Sequence, residues 1–305
     1  MPTFRYFQLD VFPASPGGGN PLGVVLDAAD WSDGAMQDFA SWTNLVETTF
    51  LLPPGAPDAS YKLRIFTPTR EIPFAGHPSI GSAHAALDFG GVQPRDGLLI
   101  QECMAGMLPI RVEGEGALRR LFVQAPPARV LHMGIDEPLL RHVLGGLALG
   151  ALPPAFVEGG RRWWVAEFAS ESGLRDWHPD HAAIAALAKA TDSLGLCAFA
   201  RCRSPDYELV VRAFPAGVGI VEDPASGAAN GLIAACIAWQ EPDGPLARGY
   251  RVSQGREMGR DARIRIRIEG DAVWVGGRTQ TVIAGVTAWN QRHPSAGAPG
   301  AARSL

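Results

Sequence analysis

Cysteine is scarce in this chain, and its spacing excludes the common thiol-based sites. The 305 residues include four cysteines, and no two of them have the Cys-x-x-Cys spacing of a zinc knuckle or a redox centre. We therefore expect free thiols rather than metal ligands or disulfides at Cys103, Cys197, Cys202 and Cys236. The first ten residues lack the charged and then apolar pattern of a secretory leader, so a reducing, cytoplasmic location is the expectation.

Long apolar runs and an excess of basic residues are also missing. The longest apolar run, residues 232–239, is far shorter than the roughly 20 residues that a membrane span needs. The net charge of -4 argues against a nucleic-acid partner, because such domains usually carry a basic stripe. Arg263, Arg265 and Arg267 alternate with isoleucines, which favours a strand with its arginines in solvent over a polyanion site.

A nucleotide-binding turn is absent as well. Such a turn has the pattern Gly-x-Gly-x-x-Gly between a strand and a helix. The glycines at 17–19 lead instead into Asn20 and Pro21, which do not open a helix. A nucleotide-dependent oxidoreductase is therefore disfavoured.

The overall composition and length of the chain are typical of a packed globular protein with two domains. Hydrophobic residues make up 47% of the chain and charged residues 19%, and the length suits two domains of about 150 residues each. We expect an N-terminal domain over residues 1–124, completed by about 278–291, and a C-terminal domain over 128–277. The Pro-, Gly- and Ala-rich residues 294–305 are expected to form a disordered tail. Apolar spacing and caps predict helices over residues 32–43, 79–89, 138–144, 181–190 and 225–240, with many short strands between them.

A loose internal repeat relates the two halves. Residues 61–68 form a strand and a proline turn, and 77–83 place a polar residue before a proline that opens a helix. Residues 207–215 and 223–229 repeat this order. Both helices are apolar or small nearly all round, which is typical of buried helices. The repeat thus predicts a curved sheet around a central helix, twice.

The helix starts in this repeat suggest a binding site. A helix N-terminus presents unpaired N–H groups and partial positive charge, so two termini that meet at a domain junction could hold a carboxylate or an enolate. His77 and Asp223 would flank the bound molecule. Two simpler alternatives remain: Asp223 could be a plain N-cap and His77 a surface turn residue.

Glu47 is the third candidate. Residues 45–52 read as a strand, which surrounds Glu47 with apolar or weakly polar neighbours on both faces. Loss of hydration there would raise the pKa of its carboxyl towards neutrality, as suits a group that removes and returns a proton at carbon. An edge-strand glutamate in solvent is the alternative.

The chain carries several distinctive sequence blocks: Asp10–Phe12, Gly19–Leu22, Asn44–Phe50, Phe66–Pro68, Pro73–Pro78, Glu222–Gly227, Gln254–Arg260 and Gly276–Gly277. Together they resemble the PhzF-like phenazine-biosynthesis family, from about residue 4 to about 287. The resemblance implies an α+β, diaminopimelate epimerase-like fold of two pseudo-symmetric domains, each a curved, mostly antiparallel sheet or barrel around a central helix. It also implies a homodimer without a metal or an organic cofactor.

The resemblance assigns roles to these residues. It implies an isomerase in which Glu47 carries a proton between two carbons of a small carboxylate such as dihydro-3-hydroxyanthranilate, while His77 and Asp223 bind and polarise it. A racemase with two thiols is disfavoured, because no cysteine lies at a helix start. The expected substrate-binding residues are Asn20, Gly76, Ser79, Ser226, Gly227 and Ala228.

Three positions depart from the family pattern. Ala228 stands where the phenazine enzymes carry serine, Ser226 stands in place of the threonine of the same block, and Val46 stands where many members carry serine. A different small carboxylated substrate, including an amino acid, is therefore an open alternative. The contrasting hypothesis is a catalytically silent member that binds a metabolite or a protein.

Overall fold

The computed structural model describes residues 3–289, and the expected tail at 294–305 lies outside them. Strands and helices alternate irregularly along the chain, which makes the fold α+β as predicted. The strands are β1 (Phe4–Val11), β2 (Asn20–Leu26), β3 (Thr48–Leu52), β4 (Tyr61–Phe66), β5 (Glu71–Ile72), β6 (Leu98–Cys103), β7 (Gly106–Glu113), β8 (Arg120–Gln124), β9 (Arg129–Met133), β10 (Ala155–Gly159), β11 (Arg161–Phe168), β12 (Leu196–Arg201), β13 (Leu209–Phe214), β14 (Gly249–Gln254), β15 (Ala262–Glu269), β16 (Ala272–Gly277) and β17 (Thr279–Thr287). The helices are α1 (Asp33–Thr43), α2 (Gly76–Asp88), α3 (Pro138–Leu144), α4 (Glu171–Arg175), α5 (His181–Ala190) and α6 (Gly227–Gln240).

Strand pairing repeats between the halves. In the first half, β1 pairs antiparallel with β2, β2 parallel with β3, β3 antiparallel with β4, and β4 parallel with β6, before β7 and β8 follow antiparallel. The order β10, β11, β12, β13, β14, β15, β16 repeats this sequence of parallel and antiparallel pairs.

The two series of strands join where β8 pairs with β16. At the outer ends, β17 pairs with β1 as β9 pairs with β10. The C-terminal strand thus completes the first half. This symmetry supports the division at residues 124–128, which we keep as a proposal.

One helix fills each half. Helix α2 packs on β1, β2, β3 and β8, whereas α6 packs on β10, β11, β15 and β16. Nearly every side chain in the first three turns of α2 is buried, and so are most in α6, because neither helix has a polar face. Alternation in β15 buries Ile264 and Ile266 in the core, as the arginine–isoleucine pattern predicts. No helix among residues 3–289 is long and apolar enough to cross a membrane.

Several boundaries differ from the sequence prediction. Helices α1, α3 and α5 have the predicted bounds to within one residue. Helix α2 starts at Gly76 rather than Ser79, and α6 starts at Gly227 rather than Ala225. Strand β3 starts only at Thr48. Strands β5, β9 and β14 and the short helix α4 were not predicted.

Candidate active site

The N-termini of α2 and α6 meet face to face. Gly76 and Gly227 are the first residues of the two helices. A Cβ atom on either glycine would lie 3.2 Å from the Cα of the other, which is tighter than ordinary packing allows. The first N–H groups of each helix have no acceptor within the helix. The close approach therefore concentrates donors and positive potential at one point between the halves.

Glu47 is held at this point by the segment that precedes β3. Asn44, in a left-handed conformation with φ 52°, ends α1. The carbonyl of Glu47 then accepts a hydrogen bond from Gly23 of β2 at 3.4 Å. The expectation that Glu47 lies within a strand is wrong, because pairing of β3 begins one residue later. Its side chain is nonetheless buried, with 9% of the residue exposed.

His77 faces Glu47 from the first turn of α2. It is 5% exposed, so the alternative of a surface turn residue does not hold. Its Nε2 lies 3.3 Å from Oε2 of Glu47. The two atoms are not aligned for a hydrogen bond, and neither has another partner among the described residues. Two unsatisfied polar atoms therefore share one buried space.

Burial sets the charge states of this pair. It raises the pKa of Glu47 to about 8, and the nearby charge of Asp223 adds to the effect. It lowers the pKa of His77 to about 3, against the opposing influence of a hydrogen bond to the backbone of Pro21. Near neutral pH the histidine is thus uncharged, while Glu47 can exist in both protonation states.

Asp223 precedes α6 but does not cap it. Ser226 is the N-cap, and its hydroxyl accepts a hydrogen bond from the N–H of Ala229 at 3.3 Å. The alternative of Asp223 as a plain N-cap is therefore wrong. Oδ1 of Asp223 accepts instead from the N–H of Ala225 at 3.1 Å. Burial raises the pKa of Asp223, and hydrogen bonds from Ala225, Ser226 and Asn20 oppose the rise.

Asn20 joins the two halves at the site. Its Nδ2 donates to Oδ1 of Asp223 at 3.0 Å and to the carbonyl of Ala225 at 3.2 Å. The same nitrogen lies 3.3 Å from Nδ1 of His77. Asn20 is completely buried, and its Oδ1 has no partner among the described residues. The amide thus fixes Asp223 relative to His77 and leaves one acceptor unsatisfied.

The remaining predicted residues separate into two groups. Ser226, Gly76 and Gly227 lie at the helix starts, as described above. Ser79 is fully buried one turn further on, where its hydroxyl donates to the carbonyl of Ala75 at 2.9 Å and accepts from Gln101 at 3.1 Å. Its hydroxyl therefore supports the start of α2. Ala228, the second residue of α6, is exposed.

Sequence reasoning missed two residues behind the site. Gln254 and Asn230 are completely buried, and they bond to each other and to the segment around Ser226. Signals for both were present, because Gln254 begins one of the family blocks and Asn230 is a polar residue in an otherwise apolar helix.

We expect the stability of the protein to reveal the raised pKa of Glu47. The folded state keeps this proton between about pH 4.5 and about pH 8, where the unfolded chain has released it. The free energy of unfolding therefore falls as pH rises through this window. Glu47→Gln removes the titration, so this variant should gain stability relative to the native protein as pH rises. Urea unfolding at both ends of the window measures the difference.

A matched control for this measurement is Glu115→Gln. Glu115 is exposed, so its replacement should leave the pH dependence of stability as it is in the native protein. A stability difference between Glu47→Gln and the native protein that stays constant across the window would contradict the raised pKa.

Among residues 3–289, no group of three or more His, Cys, Asp or Glu side chains is placed to hold a metal ion. The expectation of a reaction without a metal or cofactor stays a prediction.

Comparison with known proteins agrees with the family resemblance. The profile of the phenazine biosynthesis-like protein family matches residues 9–285. The trans-2,3-dihydro-3-hydroxyanthranilate isomerase of Pseudomonas aeruginosa is 33% identical, over 87% of this chain and 91% of its own length. Antisense-enhancing sequence 1 of Schizosaccharomyces pombe is 31% identical, over 93% of this chain and 99% of its own.

A solved structure confirms the fold. The PhzF-family phenazine biosynthesis protein of Bacillus anthracis superposes with a TM-score of 0.81 at 23% identity, covering 94% of this chain and 99% of that one. The match extends over nearly the whole chain. Together, the profile match and the shared fold show that this chain belongs to the PhzF-like phenazine-biosynthesis family.

Proposed function

We propose that this chain, an isomerase of the PhzF-like family, moves a hydrogen between two carbons of a small carboxylated metabolite, with Glu47 as the acid and base. The observation that carries the proposal is the buried pair of Glu47 and His77. Their facing atoms lie 3.3 Å apart, without hydrogen-bond partners, beside two helix N-termini.

The proposed reaction needs one group that can both take and give a proton. The Glu47 carboxylate removes a proton from one carbon, and the electrons of that C–H bond pass into the conjugated acid as an enolate. Glu47 then returns the proton to a second carbon, so that no atom or electron is gained or lost. A pKa of about 8 makes both states of Glu47 accessible near neutral pH.

The helix starts supply the stabilisation that this intermediate requires. Negative charge accumulates on the substrate carboxylate as the enolate forms. The N–H groups at Gly76 and Gly227 have no acceptor within their own helices and are fixed in place by the fold, so they need no reorganisation during the reaction. His77 and Asp223 then orient the substrate on either side. This supports a reaction that requires no metal or organic cofactor.

Hydrogen exchange tests the proposal. The protein is incubated in deuterated water with a panel of small unsaturated acids and amino acids, including trans-2,3-dihydro-3-hydroxyanthranilate, the substrate in the name of one relative. We expect deuterium to enter one member of the panel at carbon, as detected by NMR. Ligand binding that is detected by calorimetry, with no exchange or rearrangement in any member, would instead favour a catalytically silent binding protein.

The proposal includes the remaining expectations from the sequence. The partner is a small-molecule carboxylate, without a nucleic acid or a membrane, and the protein acts as a cytoplasmic homodimer. Light scattering tests the homodimer and cell fractionation tests the cytoplasmic location, and neither measurement depends on the chemistry.

A further inference from the structure

We propose that Gln254 is a positioning residue that holds Asp223 at the site. The inference rests on the proposed function, because it assigns Gln254 a role in that reaction. Gln254 ends β14, is completely buried and contacts the start of α6.

Gln254 connects three parts of the segment that carries Asp223. Its Nε2 donates to the main-chain carbonyl of Asp223 at 2.7 Å. Its Oε1 accepts from Nδ2 of Asn230 at 2.9 Å and from the N–H of Ser226 at 3.3 Å. One side chain therefore ties the residue before the helix, the N-cap and the first turn together.

The main chain of Asp223 also pairs with β13. Its N–H donates to the carbonyl of Ala213 in β13 at 2.9 Å. Strand β14 pairs in parallel with β13, with Gln254 next to Val211. Loss of the glutamine would leave the main chain of Asp223 held by the pairing with Ala213, so that this segment could shift. The carboxylate, which the Asn20 amide and the N–H of Ala225 hold, would then be displaced together with the main chain.

The first half contains the equivalent arrangement. Gln101 lies in β6, which takes the place of β14 in the repeated pairing order. Its Nε2 donates to Ser79, which lies four residues after the N-cap of α2, just as Asn230 lies four residues after that of α6. Both Ser79 and Asn230 bond to the carbonyl of the N-cap residue. Only in the second half does the glutamine also bind the residue that carries a site carboxylate.

The displaced charge gives a measurable signal. Asp223 is one of the two causes that raise the pKa of Glu47, the other being burial. Other titratable groups near Asp223 include Cys197, Glu222, which is paired with Arg212, and His77, which shares the Asn20 amide with it. Movement of Asp223 away from Glu47 should therefore lower the pKa of Glu47 without a change in any other charge.

The test uses Gln254→Leu, with Gln101→Leu as its matched control. Both variants remove a buried amide at equivalent places, so we expect a similar loss of thermal stability. NMR titration of 13C-labelled glutamate should show the pKa of Glu47 below its native value in Gln254→Leu and unchanged in Gln101→Leu. An unchanged pKa in a folded Gln254→Leu protein would overturn the proposal. This readout needs no substrate, so it can succeed even if the proposed function fails.

Kinetics give a second readout once a substrate is known. A misplaced Asp223 should lower kcat about 10- to 100-fold in Gln254→Leu, with a smaller change in KM. In Gln254→Glu the neutral carboxyl can still donate to Asp223 and accept from Asn230. Relative to the native protein at the same pH, the activity of Gln254→Glu should be nearly complete below the pKa of the introduced carboxyl. It should fall above that pKa, where the ionised carboxylate can no longer donate to Asp223. A Gln254→Glu profile that matches the native one at every pH would contradict the proposal, even if the leucine variant does not fold.

Discussion

Glu47→Gln is expected to lower the rate of hydrogen transfer about 10²- to 10⁴-fold, the range over which a positioned acid and base contributes to catalysis. Glutamine has nearly the same shape as the protonated carboxyl, so the contacts of the site with substrate should remain. It cannot take up a proton from carbon, however. We therefore expect kcat to fall while the affinity for the substrate changes little.

The rate is measured as deuterium incorporation at carbon. Glu115→Gln serves again as the control, since Glu115 is exposed and lies outside the site. Urea unfolding of Glu47→Gln shows whether the variant is folded. If it has the expected gain in stability at alkaline pH, misfolding is excluded as the reason for a lost rate. Turnover at the native rate in this variant would show that another group carries the proton.

A side chain at Gly227 should separate catalysis from stability. A Cβ there meets the Cα of Gly76 at 3.2 Å, so the two helix starts must move apart by a few tenths of an ångström in Gly227→Ala and further in Gly227→Val. A misplacement of about 1 Å at a reacting centre can cost about 100-fold in rate, so we expect a smaller loss in Gly227→Ala and a loss near this size in Gly227→Val. Alanine has a higher helix propensity than glycine. The free energy of unfolding of Gly227→Ala should therefore fall much less than the loss of rate alone would suggest.

The control for this series is Gly34→Ala. Gly34 lies in the first turn of α1, and a Cβ there meets nothing within 4 Å. The Gly34→Ala variant should therefore gain helix stability without any change in the rate of hydrogen transfer. Gly76→Ala tests the same gap from the other side, and its effect should not add to that of Gly227→Ala because the two share one contact. Full activity in Gly227→Val would contradict a role for the closely spaced helix starts.

Local sequence patterns were sufficient to place three of the helices. Ser32 and Asp180 cap α1 and α5, and Pro138 opens α3, so their bounds could be predicted. The start of α2 has no side-chain cap and was placed too late. Strand β14 was missed although its antiparallel neighbour β15 follows it in the chain, because the connection contains the short 3₁₀ helix Arg256–Met258 rather than a tight hairpin turn.

The site depended on contacts that a local pattern cannot show. His77 and Asp223 were proposed from the two helix starts and Glu47 from its apolar neighbours, and the family resemblance added their roles. The structure brings the three together, with Glu47 and His77 buried and Asp223 half-buried. Asn20 and Asp223 are 203 positions apart in the sequence, so the amide that joins the halves is visible only in three dimensions. The pKa of Glu47 was expected to rise because of neighbours within a strand, whereas burial between the halves and the charge of Asp223 raise it in the structure.

The fate of a labelled hydrogen tests the central claim most directly. A substrate found in the exchange screen is deuterated at the carbon that loses its hydrogen and converted in ordinary water in a single turnover. Since Glu47 is sheltered from solvent, we predict that a share of the deuterium appears at the receiving carbon with the native protein, and that Glu47→Gln forms almost no product. Product formed by Glu47→Gln at the native rate, with the same share of deuterium, would contradict the account.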